Sequence, residues 1–316
     1  MVRISVFIVS YNQEAYIAEA IESVLSQSVR PYEIVISDDC SKDRTWEIIQ
    51  SYQARYPELI RAYRNEPNVG IFRNFNETTR KTTGNLVTCV AGDDFIKPGY
   101  FEHVCRCIEE NRLDPDRDSF ILVPNVISLF SNGLETRHSN LPYRDKNLLS
   151  CRLRGLIDDR YGVVSRVSLE HTDGFIENIG LHGDFVWCFE RFIRTDRILF
   201  MDGYYPVYRQ GVGIVSRTKE KDAARSLLKA IDILLEKYGD RFNGRDRLYI
   251  GYMRAKSRYI LDKTWRNYGR VAYSTLLNTG NYGTARRQVK AWTFILLPAA
   301  LKKILFKVKY LEALSK

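Results

Sequence analysis

The sequence of 316 residues has few cysteines and no arrangement of them that suggests a metal or disulfide scaffold. Its six (Cys40, Cys89, Cys105, Cys107, Cys151 and Cys188) show no paired metal-ligand spacing, and Cys105 and Cys107, two apart in a helical stretch, do not share a face. They read as free core thiols of a reducing compartment. A signal peptide is also missing: the apolar run at 4–9 is short and leads straight into Ser10-Tyr11-Asn12. No apolar stretch is long enough to span a bilayer, since 292–301 carries Pro298 and stops at Lys302-Lys303. There is no long repeat and no low-complexity linker. The expected location is cytoplasmic.

What is present is ordinary for a globular protein with a real core: 45% hydrophobic and 27% charged residues. The length suggests one large domain plus an appendage. A formal charge of +10 implies an anionic partner, whether nucleic acid, phosphorylated small molecules or an acidic lipid surface. Between 286 and 309 there are seven Lys/Arg and no Asp or Glu, interleaved with Trp292, Phe294, Leu296, Leu301 and Phe306. Such a segment suits peripheral contact with a membrane surface better than a nucleic-acid groove. A helix packed on the rest of the chain or on a partner subunit is the alternative.

Along the chain, strand-like and helical patterns alternate. Residues 2–9 and 33–37 have the continuous apolar character of strands buried on both faces. Ile17, Ala20, Ile21, Val24 and Leu25 recur at helical spacing over 14–27. A helix with Trp46, Ile49 and Tyr52, capped by Ser41 and Asp43, follows the second strand. Strand 59–64, helix 72–82 and strand 85–91 continue the alternation, which implies right-handed crossovers and a mostly parallel sheet. After about residue 115 the pattern changes to a strand at 119–130, a loop-rich basic stretch at 141–165, a helix at 184–195 and an extended segment at 198–208. From about Thr218 the chain reads as helical, with one apolar stripe through Ala224, Ile231, Leu234 and Tyr238.

Two strands end in acidic pairs, Asp38-Asp39 and Asp93-Asp94. In an open α/β sheet the ligand crevice lies beyond the carboxyl ends of the strands, so two such turns can converge on one ligand. A carboxylate there can accept hydrogen bonds from a nucleobase or ribose. Another can help hold Mg²⁺ or Mn²⁺ while diphosphate oxygens complete the shell. Capping and solvated turns are the plainer explanations for each pair alone.

Together the segments carry more. The run VFIVSYNQEAYIAEAIESVLSQSVRPYEIVISDDCSKDRTWEII, followed by NVGIFRNFNETTRKTTGNLVTCVAGDDFIKPGYF, resembles the opening of the family 2 glycosyltransferases. The resemblance spans roughly 3–215 and implies a GT-A fold: an α/β domain at 1–215 with a mostly parallel sheet and flanking helices. A helical C-terminal extension at 216–316 would complete the chain. It implies inverting transfer of a sugar from a nucleotide diphosphate-sugar, UDP-linked by expectation, to a carbohydrate or lipid-linked glycan. By the same resemblance Asp39 contacts the base, Ser10 and Tyr11 line its pocket with Asp38, and Asp93 and Asp94 form the metal-diphosphate motif, Asp94 being first candidate for direct metal contact. Two departures stand out: Ala91 where many members have Asp, and Cys40 where Gly is common.

Sugar transfer with inversion needs a base to take the acceptor's proton. Asp184, in Gly183-Asp184-Phe185-Val186-Trp187, matches the acidic position of the family at the start of a helix, with Gly183 replacing a preceding acid. Trp187 is a candidate for the acceptor site or for core packing, and His182 for assisting the base or for the polar rim. Arg209 resembles the family's basic residue that neutralises the leaving diphosphate; Ser216-Arg217 extends that segment. Arg152, Arg154 and Arg160 read as an exposed basic loop or an anionic-acceptor site. The competing functions are an idle glycan- or nucleotide-binding module, allowed by Ala91 and Gly183, and a nucleotidyltransferase, which normally has a Gly-rich loop where Ser10-Tyr11-Asn12-Gln13 stands. A nucleic-acid-binding protein is the remaining alternative, and no nucleic-acid partner is expected.

Overall fold

The computed structural model describes residues 1–213, 216 and 218–277. Among these, β1 (Ile4–Ser10) and β2 (Glu33–Asp38) are buried at every position, which is why their sequences are apolar without alternation. Helices α1 (Ile17–Leu25) and α2 (Thr45–Arg55) connect β1 to β2 and β2 to β3 (Ile60–Arg64). Then come α3 (Ile71–Arg80), β4 (Leu86–Cys89), β5 (Phe95–Ile96) and α4 (Tyr100–Glu110). The second half contains β6 (Phe120–Leu129), β7 (Glu135–His138), α5 (Leu148–Leu153), β8 (Val163–Ser165), α6 (Arg166–Glu170), α7 (Gly183–Arg194) and β9 (Arg197–Arg209).

All nine strands join one sheet in the order β3-β2-β1-β4-β8-β6-β9-β5, with β7 paired to β6. The pairs β1–β2, β2–β3, β1–β4 and β6–β9 are parallel, whereas β8 runs antiparallel to both β4 and β6. The direction of winding reverses between β1 and β4, the kind of switch point beside which ligands bind in such sheets. Alternate residues of the central strands feed two cores. Ile4, Val6, Ile8, Ile34 and Ile36 pack with α1, α2 and α4 on one face. Phe7, Val9, Val35 and Val87 meet Phe75 of α3 and Leu169 of α6 on the other. α3 is unusual in burying a polar stripe of Asn74, Asn76 and Thr78. That stripe is satisfied internally: Asn74 accepts from the Ser37 hydroxyl at 2.6 Å and from Asn65 at 2.9 Å.

The chain divides into two compact units, Met1–Thr218 and Lys219–Lys316. In the second, α8 (Glu220–Tyr238), α9 (Gly244–Leu261) and α10 (Trp265–Leu277) follow one another. α8 buries Ala224, Ile231, Leu234 and Tyr238, the stripe expected from the sequence. A reciprocal Asn243–Asp246 capping box starts α9. The cationic segment 286–309 and Arg217 lie outside the described residues. No helix among the described residues is long and apolar enough to cross a membrane.

The basic stretch at 141–165 is only in part the exposed loop expected, since Arg144 and Arg160 are exposed and Arg152 is drawn inward. Arg152 sits in α5 and pairs with Asp159, which is 2% exposed, through Nε at 2.9 Å. Arg160 pairs with Asp158 and lies 3.9 Å from the centre of the Tyr208 ring. Two cations of this stretch, Arg152 and Arg160, are neutralised locally by Asp159 and Asp158.

Candidate active site

The two acidic turns meet at the carboxyl ends of β1, β2 and β4. The backbone carbonyl of Ser10 accepts the Asp39 amide at 2.9 Å, and the Val9 carbonyl accepts the Gly92 amide at 3.0 Å. Gly92 is required there: a Cβ would stand 2.3 Å from Gln13 Oε1 and 3.0 Å from Ser10 Cβ. The absence of a side chain at Gly92 lets the Asp93-Asp94 turn close on the end of β1.

Asp38 and Asp39 have different tasks. Asp38 is fully buried and accepts the Ser41 amide at 3.0 Å and the Ser41 hydroxyl, with Arg64 Nε at 3.5 Å and Ser10 Oγ at 3.5 Å. It holds the turn together. Asp39 Oδ1 accepts Asn65 Nδ2 at 3.0 Å and the Val69 amide at 2.9 Å, and Oδ2 accepts the Gly70 amide at 2.9 Å. A carboxylate offers about four acceptor positions, so one direction on Oδ2 is left beyond these three bonds. Asp39 thereby ties the entry of α3 to the end of β2. Tyr11 beside it is 42% exposed, a free aromatic face at the rim of the same crevice. Cys40 adopts φ +62°, the left-handed conformation that explains why glycine suits this position.

At the second turn, Asp94 is 2% exposed with both oxygens engaged: Oδ1 accepts the Arg209 amide at 2.7 Å and Oδ2 the Tyr161 hydroxyl. Burial and the neighbouring Asp93 push its pKa from the ordinary 3.8 up to about 7, against the Tyr161 and Arg209 bonds that pull it down. Asp93 is only partly buried and lies under Gly213, where a Cβ would come within 2.6 Å of its Oδ2. Two adjacent carboxylates, one of them desolvated and repelled by the other, form a hard-oxygen set whose charge calls for a cation. They fit a divalent ion shared with diphosphate oxygens, with Asp93 the more accessible of the two and Asp94 engaged from behind. Among the described residues no cluster of three or more His, Cys, Asp or Glu forms a closed metal cage. Arg209 completes the turn: its guanidinium donates to the Asp93 carbonyl at 2.7 Å and pairs with Glu19.

Asp184 occupies the first turn of α7, as the sequence suggested. Burial raises its pKa; Arg152, its own backbone amide and Arg191 oppose that, and Asp159 reinforces it. Gly183 is explained by packing. A Cβ there would stand 2.3 Å from the Phe72 ring and 2.4 Å from the Ile176 carbonyl, so no acidic side chain fits. The contact with Phe72 also places Asp184 beside the start of α3, whose Gly70 amide binds Asp39.

The weaker candidates separate. Trp187 donates from Nε1 to Thr172 at 3.0 Å, packs its ring on Phe175 at 4.3 Å between centroids, and carries the Arg191 guanidinium 3.9 Å from its own centre. Its ring is committed to packing, and it borders a cavity of about 340 Å³ with Asn76, Thr79, Arg166, Thr172 and Phe175 rather than the acidic crevice. His182 directly precedes α7, and burial lowers its pKa, keeping the ring neutral near pH 7. Three residues that sequence patterns did not single out contribute directly: Asn65 on Asp39, Tyr161 on Asp94, and Asp159 between Arg152 and Arg191. Their only linear signal was position just after strand β3 or just before β8.

Residues 5–160 match the family model for glycosyl transferase family 2. That segment, just under half of the chain, is family 2 glycosyltransferase sequence. The TarS 1–349 crystal structure from S. aureus in complex with UDP-GlcNAc superposes with a TM-score of 0.59 at 19% identity, covering 93% of this chain and 90% of that one. The mannosyltransferase from Pyrobaculum calidifontis in complex with GDP-Man and Mn²⁺ gives 0.51 at 15%, covering 98% and 80%. At these identities the likeness shows the fold, which is GT-A. The chondroitin synthase of Escherichia coli is 32% identical over 111 residues, 35% of this chain and 16% of that protein. The chain spans less than half the length of the curated relatives it matches.

Proposed function

We propose that this chain is an inverting family 2 glycosyltransferase that moves a sugar from a nucleotide diphosphate-sugar, with UDP-sugars the leading donor class, to a carbohydrate hydroxyl. The observation that supports the reading is the closure of the Asp39 and Asp93-Asp94 turns on the end of β1, with Asp184 opening a helix whose Gly183 packs on Phe72 of α3. The remaining acceptor direction of Asp39 would take a donor hydrogen bond from the base, with Tyr11 and Ser10 walling the pocket. A divalent cation, Mg²⁺ or Mn²⁺, held by Asp93 and Asp94 would neutralise charge developing on the leaving diphosphate. Arg209, already fixed over the same turn, adds a permanent positive charge there. Asp184, whose pKa burial raises while Arg152 and Arg191 oppose the rise, would accept the proton of the attacking hydroxyl as the new glycosidic bond forms. The tight fit at Gly183 removes one argument for an idle binding module, because its lost carboxylate reflects packing. The acceptor class is a growing or lipid-linked glycan, to which the cationic segment 286–309 would bring the enzyme at an anionic membrane surface.

The test is nucleotide release from a panel of UDP- and GDP-sugars with Mn²⁺ or Mg²⁺, for the wild type and Asp184→Asn. Release by the wild type and a loss of roughly 10²–10⁴-fold in kcat for D184N are expected. Full turnover by D184N would refute its role as base. Tight UDP binding without release from any donor, in either metal, would favour the idle module.

A further inference from the structure

Four consecutive residues, 158–161, contact α5, α7, β9 and the Asp93-Asp94 turn. Asp158 is anchored from behind, its amide donating to Asn140 Oδ1 at 2.9 Å and its carbonyl accepting Asn140 Nδ2 at 2.7 Å, with Asn140 fully buried. Asp159 pairs with Arg191 of α7 and with Arg152 of α5. Arg160 crosses the Tyr208 ring next to Arg209. Tyr161 turns through φ +60° and sends its hydroxyl to Asp94, while its carbonyl accepts the hydroxyls of Thr88, at 3.2 Å, and Tyr100. A non-glycine residue in the left-handed region is held there only when its surroundings over-determine it. Here the carbonyl and hydroxyl of one residue are each gripped by a different element, and the residue two places earlier grips α7.

We infer that residues 158–161 form a brace linking the helix that carries Asp184 to the Asp93-Asp94 turn, with Asp159 and Tyr161 as positioning residues. Asp159 acts on α7 through Arg191, one of whose faces covers Trp187, a single turn from Asp184. Tyr161 acts on the turn by aiming Asp94. Ordering at one end of the brace is transmitted to the other because the segment is held along its length: Asp158 by Asn140, Asp159 by α5 and α7, Arg160 by Asp158 and the Tyr208 ring, and Tyr161 by Asp94. Its catalytic consequence rests on the function proposed above, whereas the mechanical link does not.

The link is read by amide hydrogen exchange on the full, unliganded chain, with Tyr161→Phe, Asp159→Asn and, should D159N not fold, Arg191→Gln. Y161F, which alters only the contact at the turn, should speed exchange of the α7 amides at 186–190 by roughly fivefold or more. Reciprocally, D159N or R191Q should speed exchange at the Gly92 and Asp94 amides, which are hydrogen-bonded to Val9 and Ala91 in the wild type. If each variant loosens only the element it touches, the brace is refuted. In turnover assays, Y161F should raise the Mn²⁺ concentration needed for half-maximal nucleotide release and lower kcat. The Y161F/D159N pair should lose less than the product of the single losses. Multiplicative losses would overturn the coupling. Absence of turnover in the wild type would count against the proposed activity and leave the exchange result to decide the brace.

Discussion

Replacing Asp94 by Asn should stabilise the metal-free protein at alkaline pH and remove its cation response. The carboxyl is almost fully buried, and its pKa rises from 3.8 to about 7 through burial and the charge of Asp93. Between those two values the folded chain binds a proton that the unfolded chain has released. Stability therefore falls as pH rises through that window, the reverse of an ion-paired carboxylate. Full ionisation costs at most ~4 kcal/mol, from about three pKa units at ~1.4 kcal/mol each. Asn keeps the bonds without the charge: its oxygen accepts the Arg209 amide and its NH₂ donates to the Tyr161 oxygen. The advantage of D94N over the wild type should grow by up to ~3 kcal/mol between about pH 4.5 and pH 8, and by about half that if the site relaxes. For a unit of this size that is a widening of roughly 3–10 °C in Tm, measured by thermal unfolding in EDTA at both pH values. Added Mn²⁺ should raise the Tm of the wild type and leave D94N unmoved. An advantage that is equal at both pH values, or a D94N less stable than the wild type at pH 8, would refute the electrostatic account of this turn.

Other sites give sharper, smaller tests. Asp39→Asn turns an NH₂ toward at least one of three donors, so it should cost about 1–3 kcal/mol in urea unfolding and weaken UDP binding by calorimetry. Gly183→Ala drives a methyl into Phe72 and the Ile176 carbonyl; a loss of about 1–3 kcal/mol in unfolding free energy and a fall in kcat are expected, and Gly183→Glu should fare worse rather than restore activity. Arg209→Gln leaves Glu19 without its partner and the turn without its fixed cation, and should lower kcat by roughly 10–100-fold at saturating donor. EDTA should abolish nucleotide release, and Mn²⁺ or Mg²⁺ should restore it.

Much of the first half of the domain was legible because its strands are buried on both faces. That burial forces the apolar runs Val6–Val9 and Ile34–Ile36 inside β1 and β2, and the first acidic pair follows where polarity resumes. α7 and β9 were legible from other patterns: one apolar helical stripe, and one long extended run. The antiparallel insertion of β8 between β4 and β6 was not, since three residues carry too short a pattern to set a direction. The basic stretch misled because charge in a sequence does not show its partner; Arg152 and Arg160 are neutralised by Asp159 and Asp158 at distances only folding creates. Departures from the family pattern also became readable only in three dimensions. Cys40 keeps the left-handed conformation that glycine would adopt freely, and Gly183 is there because an adjacent ring and carbonyl leave no room.

The inequality between the two acidic turns now has a physical basis. Asp39 is held by three donors from the chain itself, so it is formed before any ligand arrives and can discriminate a base by a single remaining acceptor direction. Asp93-Asp94 is under-compensated, with one carboxyl that gives up its proton only near neutral pH, so it is completed by what binds there. A preformed base site beside a cation-dependent diphosphate site would make donor binding ordered. On the function proposed above, nucleotide base and ribose would dock on the rigid turn, and Asp93 and Asp94 would hold the cation that neutralises the diphosphate at the second. On that logic uridine alone should bind with an affinity indifferent to Mn²⁺, whereas UDP should bind roughly tenfold or more tightly in its presence, a difference of at least ~1.4 kcal/mol. Calorimetry of the two ligands with and without Mn²⁺ separates the contributions. Equal Mn²⁺ dependence for both, or none for either, would show that the two turns do not divide the work in this way.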